Sequence, residues 1–69
     1  MRNLTRADRL RIATLNQEIE HSRRNIIGIE RDLSEGRMDR ETAMRALMTN
    51  RRRLDNAQRE LNLLMDRKR

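Results

Sequence analysis

Apolar residues recur along the first half of the chain at Ile12, Leu15, Ile19, Ile26, Ile29 and Leu33, with Ser22 filling the one polar slot. The intervals alternate between three and four, the a/d repeat of a helical seam. The second half repeats the pattern at Ala43, Leu47, Asn50, Leu54, Ala57, Leu61 and Leu64. Between the two seams lies Ser34-Glu35-Gly36-Arg37-Met38-Asp39. Gly36 stands where a helix ends on a left-handed residue, a conformation glycine adopts without a Cβ clash. Asp39 can cap a following helix through its carboxylate, with Met38 and Ala43 at the spacing of a hydrophobic staple. Thr5 and Asp8 have the spacing of a capping box at the start of the first helix. The pattern predicts a single hairpin: helix over about 5–35, turn at 36–38, helix over about 39–67.

A short turn requires the helices to run antiparallel, and the seams then meet without slippage. Leu33 pairs with Ala43, and the pairs Ile29–Leu47, Ile26–Asn50, Ser22–Leu54, Ile19–Ala57, Leu15–Leu61 and Ile12–Leu64 follow, each joining an a position to a d position. The predicted fold is therefore all-α, an antiparallel two-helix coiled-coil hairpin. Asn50 reads either as a tolerated polar layer or as the residue that fixes register and partner number.

A two-helix seam leaves both flanks wet. On the b/e flank, Ile27, Met44 and Met48 cluster near the turn, and Ala13 and Met65 lie near the open end, with Asn16, Glu20, Arg23, Arg51, Asp55, Gln58 and Asn62 between them. Methionines grouped with an isoleucine fit an adaptable protein contact, so these five residues are the expected partner interface. The same register sets Arg23 against Arg51 and Glu18 against Glu60, which predicts poorly matched charges in the isolated hairpin. A second copy pairing into a four-helix bundle, or a second protein, could cover the flank. Gly28, within the first helix at an outer c position, costs stability relative to alanine unless a partner helix approaches there.

Composition narrows the classes. The 69 residues can form one domain at most, too small for an ample core. No cysteine is present to staple it. The absence of Phe, Tyr and Trp removes the platforms on which single-stranded nucleic acid stacks. The chain has no apolar run long enough for a membrane span and no signal-peptide core, so a cytoplasmic protein is expected.

No catalytic constellation emerges. His21 is the only histidine and falls on an outer position, the hydroxyl residues have no base at triad-like spacing, and no glycine-rich phosphate loop exists. The expectation is a non-enzymatic protein with no cofactor, metal or small-molecule substrate. The net charge of +6 is the more informative feature. Helical geometry disperses Arg51-Arg52-Arg53 around the second helix. Residues 1–11 carry +3 and residues 66–69 carry +2, and a hairpin brings these segments together. Arg2, Arg6, Arg9, Arg11, Arg67, Lys68 and Arg69 are thus candidates for contact with nucleic acid or another anion.

In size and layout, with two long helices joined around Glu35-Gly36-Arg37, the chain resembles the plasmid Rop-type hairpins. Those proteins pair into four-helix bundles and bind RNA loops. The layout is also similar to the small hairpin co-chaperones of type III secretion needle subunits. Neither resemblance extends to particular motif residues. The sequence reading is a protein–protein interaction module, an adaptor, co-chaperone-like or assembly component acting as a homodimer through helix packing. The alternative is a Rop-like RNA- or DNA-binding or regulatory hairpin that uses the basic tip.

Overall fold

The computed structural model describes residues 4–67, with only the backbone at Arg67. Two helices, α1 (Arg6–Ser34) and α2 (Arg40–Arg67), pack against each other as a rod of 51 × 14 × 14 Å. No strand occurs among the described residues.

Local chemistry sets each helix end. Thr5 caps α1 in a reciprocal box: the Asp8 amide donates to the Thr5 hydroxyl at 3.0 Å, and the Thr5 amide donates to the Asp8 carboxylate at 3.1 Å. At the other end Gly36 takes φ +76°. The Arg37 amide then reaches back to the Asp32 carbonyl at 2.8 Å and the Gly36 amide to the Leu33 carbonyl at 3.2 Å, the paired bonds of a Schellman ending. Such endings usually carry a hydrophobic contact across the same gap. Here Arg37 instead forms ion pairs with Asp32 at 3.8 Å and Glu35 at 3.3 Å. Asp39 opens α2, accepting from the Thr42 amide at 3.4 Å. Met38 is half-buried, and Ala43, at the other end of its staple spacing, is fully buried.

All fourteen seam residues are buried or half-buried. Leu15, Ile19 and Ala57 form the central cluster, flanked by Leu54 and Leu61. The polar members fit without orphaned groups. The Asn50 amide nitrogen donates to the Ala46 carbonyl at 2.8 Å, and its oxygen accepts from Asn25 at 3.2 Å. Ser22 is also buried, and no buried side-chain nitrogen or oxygen among the described residues lacks a partner.

The charges correct the sequence reading. Arg51 turns from Arg23 to Glu30, one heptad away on the same flank, at 3.8 Å. Glu60 turns from Glu18 to Arg11, which grips it through two nitrogens at 2.6 and 2.7 Å. Long side chains sample both neighbouring turns of the facing helix, and the opposite charge wins.

Candidate interaction face and basic tip

The seam is not symmetrical. Its a positions are Ile12, Ile19, Ile26, Leu33, Leu47, Leu54 and Leu61, all large and aliphatic. Its d positions include Ser22, Ala43, Asn50 and Ala57, small or polar residues that let the helices approach closely on their side. The structure follows that difference. Six of the seven d residues are buried and only Ile29 is half-buried, whereas five of the seven a residues remain half-buried. The d row lies beside the g positions, where Asn25–Asn50 and the two-pronged Arg11–Glu60 pair bridge the helices. The a row lies beside the e positions, where the longer Arg51–Glu30 pair crosses. One flank is closed and the other is left ajar.

The open flank carries the residues singled out from the sequence. Ile27 is 63% exposed and Met48 60%, with Met44 and Met65 each 44% exposed. Ala13 is exposed as well. They fall into two groups, as the spacing implied: Ile27, Met44 and Met48 near the turn, Ala13 and Met65 near the open end. What the spacing did not reveal is that Ile12, Ile26, Leu33, Leu54 and Leu61, on the same side, stay half-buried. The signal was present in the contrast between bulky a and small d residues, and pairing the two rows layer by layer concealed it. Leu10 and Leu63, also exposed, occupy f and c positions off this flank. Scattered surface apolar residues of this kind are ordinary.

At the open end, Arg6 and Arg9 are exposed in the first turns of α1, where positive charge opposes the helix dipole. Arg11 is not available in the same way. Its hydrogen bonds to Glu60 raise the guanidinium pKa further and hold the Glu60 carboxyl below the usual range. Arg2, Lys68, Arg69 and the side chain of Arg67 lie outside the described residues.

On the closed flank the small Ser22 and Ala57 leave a shallow groove of about 400 Å³, walled by Glu18, His21, Arg53, Asn56 and Glu60. Among the described residues no cluster of His, Asp or Glu could hold a metal ion, and no helix is long and apolar enough to cross a membrane. Comparison of the chain with known protein families, curated proteins and solved structures finds no match.

Proposed function

We propose that this protein is a non-enzymatic interaction module whose working surface is the open b/e flank. The observation that supports this most directly is the apolar surface left on this flank. Five half-buried aliphatic a residues lie on the same side as exposed Ile27, Met44, Met48 and Met65. Burial of apolar area is the main source of association free energy, at about 25 cal/mol per Å². The methionine side chains can adapt to a partner's contours. Met44→Glu with Met48→Glu places two charges on this flank outside the hairpin seam. The double variant is expected to lose its assembly in sedimentation while circular dichroism still reports helix; retained assembly would remove this flank from consideration.

A second reading rests on Arg6 and Arg9, whose exposed charge at a helix start favours no intramolecular partner. Arg2, Arg67, Lys68 and Arg69, which flank the two helices in sequence, would add to a charge suited to phosphate. Duplex or structured RNA would then bind with a steep salt dependence, as in all contacts that release counterions. Neutralising these six residues is expected to abolish that binding. If no binding occurs even at about 50 mM salt, where such contacts are strongest, the nucleic-acid reading fails.

A further inference from the structure

We infer that the occupant of the open flank is a second copy of this chain, docked head to tail, with the turn of one hairpin over the open end of the other. This rests on the interaction reading above and adds the partner and its orientation.

The first argument is area. A face of 51 by 14 Å offers about 700 Å² per copy, close to the ~800 Å² that each partner contributes to a standard interface. Among the described residues the hairpin alone buries only six apolar side chains, two of them alanines, so a second layer supplies the core that so short a chain lacks.

Charge then selects the orientation. In sequence, residues 1–11 and 66–69, the segments before and after the hairpin seam, carry five of the six net positive charges. Two copies stacked with their turns together would superpose these ends within a Debye length of about 8–10 Å. Reversing one copy separates the two basic ends by the length of the rod. It also brings Arg6 and Arg9 to the end where the second copy carries Glu30 and Glu41 on the same flank. Near the central layer Ser22–Leu54, each helix carries one acid and one base on this flank, Glu20 with Arg23 on α1 and Asp55 with Arg51 on α2. A two-fold axis crossing the rod at its middle sets Glu20 against Arg23 of the second copy, and Arg51 against Asp55, each twice. Arg23 and Asp55 form no ion pair inside the hairpin, and this packing supplies both. In the same register Met44 comes within about one helical turn of Met65 of the second copy.

The chain has no cysteine, so Ser34→Cys gives a single site for a spin label at the turn end. Dipolar spectroscopy on a sample whose mass is fixed by sedimentation then reads the orientation. The expected result is a dimer with labels roughly 40 Å apart, the distance set by about 25 residues of helix at 1.5 Å each. A dimer with labels less than about 20 Å apart, the spacing of neighbouring helices in a bundle, would overturn the head-to-tail arrangement and leave the interaction face standing. A monomer would overturn the second copy as occupant. A dimer that survives Met44→Glu with Met48→Glu would overturn the face itself, and with it the reading on which this inference rests.

Discussion

Gly36 and Gly28 show how differently one residue type acts in two settings. At Gly36 the backbone stands at φ +76°, where a side chain costs about 1–2 kcal/mol, although a Cβ there would meet nothing within 4 Å. The objection to alanine is conformational rather than steric. Gly28 lies inside α1, and a Cβ at its position also finds open space. Alanine there removes the backbone entropy penalty of about 0.5–1 kcal/mol. Gly36→Ala is therefore expected to lower the denaturation midpoint and Gly28→Ala to raise it, in paired urea or thermal melts. If both variants shift the midpoint in the same direction, the Schellman ending does not set the fold-back. These residue-level features were readable in the sequence because each depends on neighbours within about five positions: Thr5 with Asp8, Gly36 with the preceding turn, Asp39 with Thr42. The Asn50–Asn25 bond was not, because Asn25 lies 25 residues away on a g position and gives no local signal.

Between the helices, the alternating spacing marked the seam: all fourteen of its residues are buried or half-buried, and Leu15, Ile19, Leu54, Ala57 and Leu61 cluster. The uneven burial of the two rows depends on the relative size of their a and d residues, a property of two helices together. The ion pairs were missed for a related reason. Opposing Arg23 to Arg51 and Glu18 to Glu60 treats each side chain as fixed in one layer, whereas Arg51 and Glu60 each pair with the residue one heptad along α1. Acid pH should act at two of these elements. Glu60 is lowered by its hydrogen bonds from Arg11, and Asp39 by hydrogen bonding from Thr42, through its side chain and then its amide. A carboxylate whose folded pKa is depressed contributes stability above its unfolded value, near 4, and that contribution disappears as pH falls through the lower folded value. The melting temperature is thus expected to be flat from neutral pH to about 5 and to fall below about 4. Glu60→Gln should reduce the drop; a variant with an unchanged acid profile would show that the Arg11–Glu60 bridge does not stabilise the hairpin.

At the scale of the whole molecule, a rod with one closed flank, one apolar flank and exposed Arg6 and Arg9 at one end has its possible contacts separated in space. The sequence reading expected a basic tip there, of which Arg2, Lys68, Arg69 and the side chain of Arg67 lie outside the described residues. The structure adds that Arg11 is held by Glu60, which leaves Arg6 and Arg9 as the exposed arginines of the described part of that end that Glu60 does not hold. In the head-to-tail pair the two basic ends point away from each other, so one assembly could engage two anionic sites about a rod length apart. The central claim is that the apolar flank is covered by self-association. Sedimentation equilibrium on the purified chain, at about 50 mM and again at roughly 500 mM salt, tests it most directly. The expected result is a dimer at both, its affinity little changed because apolar burial dominates over screened surface charge. A monomer at both salt concentrations would contradict the claim.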